Sequence, residues 1–575
     1  LLAAVLWVAR FWHSGEFGLY EDDLTYLPTA AGMSLGAALD FALDPQRILS
    51  LRGQGQPISY SFMFLLTNLG WKIGDIHGPY WLGYAIQAIN AGLFFALLAG
   101  IHSRSLGLVA GLAFVLYSAD TTQAYLTLAL GFHPSLTFLL LAAHACLSGR
   151  IWLAYPLAAL MLVTYETPYP VFFAIPLLAS APIRGRLRKL AGHVLIASLP
   201  LIGVVIWRIG VGDDRVLGLD MRQALAVPLT HLLQGPAVSL ATFLYRPLQA
   251  LQSLSTEVAA AAAIGSATVA LLIARLRIDD GAGRPQAGEQ GGSILPKGGQ
   301  SSHSRRRLYA DLPAEVRRLL QLGGVGLVML ALAYPLTFTV RAYALSGRDT
   351  RVHSAGVVGA ALLVGSLCLL AIWVSEAYGR RKWVAAAVGV WFGLLLGYGL
   401  VVQRDYRLAW QYQRQFWSQL VRLLPDVTEG TTILVDPRGL VDPQQIGANY
   451  WNLPAVLEQL YDFPKDWSEP PRAVRLAENW EERILARDGM VVVNPVTTYS
   501  PESVWGVERR SNTILIETSG GQLRRSAGPV QSRGRTDWLR PVPKELGEPP
   551  FAHGFLYRYL VVGRDPAAPA EAQGG

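Results

Sequence analysis

The sequence predicts a mainly α protein, a polytopic transmembrane helical bundle of about eleven spans with a C-terminal extracytoplasmic mixed α/β domain. Three observations predict it. Hydrophobic residues make up 52% of the 575 positions and charged residues only 16%, against roughly 25% charged in soluble domains. The charge deficit falls in residues 1–402, where runs of Leu, Ala, Val, Gly and Phe recur, while 403–575 has an ordinary soluble composition. Basic clusters stand between the apolar runs, as they do where positive charge orients membrane helices. A chain of this length also exceeds one core, so more than one domain is expected.

Apolar runs occupy 1–12, 79–101, 105–118, 134–148, 151–165, 168–182, 191–210, 256–276, 320–343, 355–374 and 383–402. About 20 apolar residues cross a bilayer, and several of these runs are short. The sequence starts on Leu1 rather than Met, so 1–12 is expected to be a truncated span with further chain upstream. Arg184, Arg186, Arg188 and Lys189, then Arg275 and Arg277, then Arg305, Arg306 and Arg307, then Arg380, Arg381 and Lys382 all fall on one side when the spans alternate. That side is assigned to the cytoplasm, and Arg104 and Arg150 join it. Loop 13–78 and the region 403–575 then lie outside. The parity requires that 57–70 (PISYSFMFLLTNLG), with its Tyr60 and Asn68, lies at the interface rather than crossing.

Four parts follow. Residues 1–277 form an N-terminal bundle whose first outer loop is 13–78. Residues 278–318, rich in Gly, Ser and Gln around Pro285 and Pro296, form a flexible cytoplasmic linker. Residues 319–402 form the last spans and 403–575 the soluble domain, which is expected to fold as its own unit. In that domain TTILVD, MVVVNP, NTILIET and LYRYLVVG read as strands, 453–462 and 471–487 as helices, and SGGQ as a hairpin turn. The implied location is the cytoplasmic membrane.

The net charge of +8 does not imply nucleic acid, because the excess sits in short segments between spans and no basic face with interleaved aromatics stands out. Cys146 and Cys368 lie in apolar runs and read as small buried hydrophobes. The seven tryptophans of the C-terminal region (Trp410, Trp417, Trp451, Trp467, Trp480, Trp505 and Trp538) read mostly as packing residues rather than sugar platforms.

The sharpest motif is YEDDLTYLP, residues 20–28. Glu21, Asp22 and Asp23 follow the first span and sit among Tyr20, Leu24, Tyr26 and Leu27, the pattern of a short amphipathic helix on the membrane. Carboxylates at that level are placed to deprotonate an acceptor hydroxyl or to hold a divalent cation. The bland alternative is a solvated acidic loop.

An acidic pair followed two residues later by Tyr, just after the first span, resembles the first-loop motif of the GT-C glycosyltransferases. These include protein O-mannosyltransferases, lipid A aminoarabinose transferases and bacterial relatives. Asp22, Asp23 and Tyr26 carry the match. The resemblance implies that one acid is the catalytic base or a metal ligand, and that the donor is a sugar on a polyprenyl phosphate. QPISYSF (56–62) and GYAIQAINAGLFFALL (83–98) resemble the family's next elements, with Gln56 where the family has Arg, a contact that is either lost here or supplied by Arg52. TYETPYP (164–170) resembles a Lys-Glu element, with Glu166 matching and Tyr165 in place of Lys. ALSGRDTRVHSAGVVGAALL (344–363) resembles an outer Arg segment before a late span.

Arg47, Arg52, Arg246, Arg341, Arg348 and Arg351 fall on the outer side, where positive charge is depleted. The planar guanidinium fork suits phosphate, although headgroup binding and snorkelling at span ends compete with that reading. Glu21, Tyr26, Gln56 and Glu166 complete the candidate substrate-binding set. His77 is a further possible metal ligand beside Asp22 and Asp23, but His77 and His133 each stand alone, which favours structural roles. The leading expectation is transfer of a sugar from a polyprenyl-phosphate donor to an extracytoplasmic protein, glycan or lipid. A transporter or lipid flippase is the rival class, and a noncatalytic GT-C-like assembly protein is a third. Few charges lie inside the spans and the acids gather in loops, which argues for surface chemistry.

Overall fold

The computed structural model describes residues 1–50, 55–179, 183–212, 221–275, 313–337, 342–436, 452–476, 485–487, 490–493, 506–509, 512–519, 521–526, 530–532, 535–537 and 539–561. The expected linker up to residue 312, Arg52, Arg341 and the tryptophans Trp451, Trp480, Trp505 and Trp538 lie outside the described residues.

The chain is mainly helical. α1 (Leu2–Leu6) continues through a wider turn, Trp7–Phe11. The first loop folds as α2 (Asp22–Gly32), α3 (Leu35–Leu43), α4 (Pro45–Leu49) and α5 (Pro57–Gly74). Ser34 and Asp44 cap α3 and α4 by accepting from the amides of Ala37 (3.1 Å) and Gln46 (2.9 Å), as short polar side chains do at helix starts. Pro57 starts α5 at the position where its missing amide costs nothing. Then follow α6 (Gly78–Ile101), α7 (Arg104–Val115), α8 (Leu126–Gly131), α9 (His133–Leu147), α10 (Ile151–Thr164), α11 (Tyr169–Phe172), α12 (Ile183–Gly210), α13 (Met221–Gln252) and α14 (Thr256–Arg275). The chain continues with α15 (Ala314–Leu332), α16 (Val357–Ala377) and α17 (Arg381–Val421).

Among the described residues, six helical stretches are long and apolar enough to cross a membrane: Pro57–Ile101, Leu126–Leu147, Arg188–Gly210, Thr256–Arg275, Arg348–Ala377 and Arg381–Val421. Arg104–Val115 and Ile151–Thr164 are apolar but shorter. α15 and α16 cross closely at glycines. A β-carbon on Gly359 would stand 2.2 Å from the Leu330 amide nitrogen, and one on Gly326 2.7 Å from that of Leu363. Small residues let membrane helices approach in this way.

Several elements differ from the sequence reading. The apolar run 168–182 contains no continuous helix among its described residues, only α11 and a 3-10 turn, Ile175–Leu178. Pro168, Pro170 and Pro176 remove amide donors there. The 57–70 segment belongs to the 18-residue α5, which meets α6 through a 3-10 turn, Asp75–His77. α13, 32 residues long, was not among the expected spans, and it runs through prolines at 228, 236 and 247. Near the C-terminus LYRYLVVG forms a one-turn helix, α19 (Tyr557–Leu560), not a strand. Its buried Leu560 and outward Arg558 follow a helical rather than an alternating pattern.

The C-terminal region contains α18 (Asn452–Leu460) and short strands. β1 (Thr432–Val435) lies parallel to both β3 (Arg472–Arg475) and β7 (Thr513–Ser519), and β8 (Gln522–Arg525) runs antiparallel to β7. The hairpin at 519–522 is thus where SGGQ places it. β3 and β4 (Leu485–Arg487) stand where a helix over 471–487 was expected. β2 (Tyr461–Asp462) pairs with β11 (Ala552–His553), and β4, β5 (Met490–Val493) and β6 (Gly506–Arg509) form a separate small sheet.

Two large cores result. One fills the helical bundle around Leu97, Leu112, Leu139, Met329 and Leu362. The other is shared: Phe17, Leu24, Leu27 and Trp71 of the first loop pack in one cluster with Trp417, Val421, Ile433, Leu457, Ile514 and Leu556. First loop and C-terminal region therefore meet at one end of the bundle and bury apolar surface against each other.

Candidate functional site

At that end lies a cavity of about 410 Å³. Asp22 and Tyr26, one helical turn apart on α2, line it together with Gln56, Ser59 and Tyr60 at the start of α5. Tyr165, Glu166 and Thr167 follow α10, and Thr127 and Leu128 come from α8. Leu201, Val204, Val205 and Arg208 come from α12, and Arg348 and Arg351 from a 3-10 segment, Arg348–Gly356. Six residues singled out from the sequence, Asp22, Tyr26, Gln56, Glu166, Arg348 and Arg351, thus share one space.

The charges in it are arranged at two poles. At the first, Arg348 bonds the Asp22 carboxylate directly and stands 3.6 Å from Glu21. Glu21 precedes α2 with φ 48°, a backbone region that side chains rarely adopt and that costs about 1–3 kcal/mol. Its buried carboxylate is turned toward Arg348, while Asp22 opens the helix facing the cavity. At the second pole Gln56 donates from Nε2 to Glu166 Oε2 (2.9 Å), and Arg208 stands 3.6 Å from the same oxygen. Arg208 also donates to the Gly55 carbonyl (2.8 Å). Gln56 therefore holds the glutamate here, at the position where the family resemblance calls for Arg. Among the described lining residues three guanidinium groups stand with the carboxylates of Asp22 and Glu166, and Glu21 faces Arg348 as a third acid. Arg351 makes no hydrogen bond or ion pair with any described residue, which leaves its donors to the cavity.

The adjacent acid has a different fate. Asp23 is fully buried and does not line the cavity. It accepts from the amides of Thr127 (2.8 Å), Leu126 (3.0 Å) and Tyr20 (3.4 Å). Burial pushes its pKa up to about 7, although the Thr127 and Leu126 amides pull it back down; desolvation outweighs the hydrogen bonds.

The remaining candidates lie elsewhere. Arg246 sits on α13 over the rings of Tyr245 (4.8 Å) and Tyr398 (4.7 Å) and donates to the Leu345 carbonyl, just before Arg348. Arg47 is spent on the Phe41 and Pro57 carbonyls (2.9 and 3.0 Å) and on Ser61, where it braces the first loop. His77 ends a 3-10 turn away from the cavity, and His133 faces a small gap lined also by Arg10 and Asp120. Among the described residues, no group of three or more His, Cys, Asp or Glu comes together to hold a metal ion. Trp410 lies against Gly18, where a β-carbon would stand 1.8 Å from its ring. Trp417 is buried, and Trp467 stacks on Phe463.

Sequence reasoning missed Arg208 and Thr127. Arg208 stands near the end of the apolar run 191–210, where an ionisable group is a functional candidate. Thr127 has no such mark.

Comparison with known protein families, characterised proteins and solved structures returns no match.

Proposed function

We propose that this chain is a GT-C-type membrane glycosyltransferase, which moves a sugar from a polyprenyl-phosphate donor to an extracytoplasmic acceptor. The observation that carries the reading is the meeting of Asp22 with Arg348 and Arg351 in one cavity at the membrane-helix ends. In this reading the bundle crosses the bilayer about eleven times, with the cavity end and C-terminal region outside the cytoplasmic membrane.

The chemistry follows from the two poles. The bond between the sugar's anomeric carbon and the phosphate oxygen breaks as an acceptor oxygen or nitrogen forms a new bond to that carbon. Asp22 takes the acceptor's proton, a role worth roughly a hundred- to ten-thousand-fold for a positioned base. Arg351, with Arg348, holds the departing phosphate, because charge-assisted bonds from guanidinium to phosphate are strong and geometrically matched. Glu166, held by Gln56 and Arg208, accepts hydrogen bonds from sugar hydroxyls. Leu201, Val204 and Val205 give the donor's apolar tail a wall on α12, whose outer face is itself apolar and exposed at Ile202, Ile206 and Ile209.

The test is transfer from a labelled polyprenyl-phosphate sugar by purified protein in detergent. Full turnover by both Asp22→Asn and Asp23→Asn would remove the catalytic assignment. The orientation is checked by a cysteine placed at position 290, which should react with an impermeant reagent only after the membrane is opened.

A further inference from the structure

Asp22 and Arg348 lie 326 residues apart in sequence, and both are tied to one internal segment, 116–127. At one end of that segment the amides of Leu126 and Thr127 donate to Asp23, the residue next to Asp22. Midway along it Thr121 donates from both its amide and its hydroxyl to Thr350 Oγ1, each at 3.0 Å. Thr350 lies between Arg348 and Arg351, and its own hydroxyl donates to the Gly347 carbonyl (2.8 Å).

The segment is braced from several sides. Tyr406 donates to the Thr121 carbonyl (2.6 Å) and Tyr80 to that of Ala124 (3.0 Å). Arg10 holds the carbonyls of Val115 (3.3 Å) and Tyr117 (2.8 Å), and Asp120 accepts from the Thr122 amide (2.9 Å) and hydroxyl (2.6 Å). Every residue from 116 to 127 is buried. Connections ordinarily run over the surface, because buried irregular backbone needs partners for each polar group. Here side chains from several helices supply them.

We propose that segment 116–127 is an internal spacer that sets the distance between the Asp22 carboxylate and the Arg348–Arg351 pair, with Asp23 and Thr350 as its positioning residues. The idea rests on the transfer reading of the cavity for its kinetic consequence, but its structural consequence is independent. A spacer transmits a loss at one end to the other. A mere connection does not.

The experiment uses full-length protein in detergent with Thr350→Val, which keeps shape and removes the hydroxyl, and Thr350→Ser, which keeps the hydroxyl. Thr121→Val breaks the same pair from the other side and serves if Thr350→Val does not fold. Hydrogen–deuterium exchange is read over 20–26, 118–122 and 348–352. In both Val variants exchange should quicken at 118–122 and also at 20–26, while Thr350→Ser should match the parent. In the transfer assay kcat should fall about 10- to 100-fold, the scale of a misplacement of about 1 Å, with the donor KM little changed. Faster exchange confined to 118–122 and 348–352, with 20–26 protected as in the parent, overturns the spacer. A parent with no transfer from any polyprenyl-phosphate sugar defeats the enzymatic reading instead, and the exchange result then still decides the spacer.

Discussion

The two walls of the cavity are built in different ways. The polar wall of Asp22, Arg348 and Arg351 sits at the start of α2 and on the 3-10 segment 348–356; the neighbouring Asp23 and Thr350 tie both to segment 116–127, and Arg246 holds the Leu345 carbonyl. The apolar wall of Leu201, Val204 and Val205 belongs to α12, whose apolar window is the least buried of the six membrane-length stretches, at 17%. The contrast separates two tasks. Chemistry needs charged groups fixed in mutual register. A long hydrocarbon chain needs only a continuous apolar surface beside lipid.

The largest expected effect tests the polar wall. Asp22→Asn keeps shape and removes the proton acceptor, so turnover should fall roughly a hundred- to ten-thousand-fold while the protein elutes as a folded monodisperse species. Retained turnover would make the wall a binding surface only. Next, Arg351→Ala removes a cavity arginine that has no hydrogen bond or ion pair among the described residues. A charge-assisted bond contributes about 1.5–3 kcal/mol, so the donor KM should rise on the order of tenfold or more. An unchanged KM would move the phosphate to Arg348 or Arg208.

The apolar wall should respond more weakly and more selectively. Val205→Trp narrows the space beside α12. The KM for a long-chain donor should rise a few-fold, within the roughly 1–3 kcal/mol of overpacking, while a donor analogue with a short tail should be little affected. Equal effects on both donors would place the tail elsewhere.

The smallest effect concerns Asp23 and pH. Burial raises its folded pKa to about 7, above the unfolded value near 3.9. Its contribution to stability is therefore fully present below about pH 4 and is lost as pH rises through 7. Asp23→Asn does not ionise. Its deficit in Tm relative to the parent should shrink between pH 5.5 and pH 8.5, as read by thermal unfolding in detergent. A deficit that grows with pH would show that the amides of Leu126 and Thr127 outweigh burial.

The sequence made the polar wall largely legible. Asp22, Arg348 and Arg351 stand out as charge beside apolar runs, whereas Tyr26, Gln56 and Glu166 were singled out through the family resemblance. What separates Asp22 from Asp23 is not in the motif. One faces the cavity and the other caps a segment more than 100 residues away, and only the folded chain decides which. Thr350 and Thr127 are invisible for the same reason, since a threonine's role depends on its partner. α13 was missed because 221–252 was not read as an apolar run, yet its buried face bonds Tyr117 through Ser239 and Thr337 through His231. Residues 403–575 read as a separate unit because their composition is soluble, but hydropathy gave no sign that their core continues into the first loop.

α17 runs 41 residues without a proline, a rod of about 60 Å at 1.5 Å per residue. Its first half packs in the bundle and its last turns lie in the core beneath the sheet, so the rod offers no hinge between them. Trp410, on the same rod, rests on Gly18, four residues before Asp22. The sheet region is therefore held rigidly against the first loop, like a bracket bolted to both ends of one beam, rather than hung from it as a swinging lid.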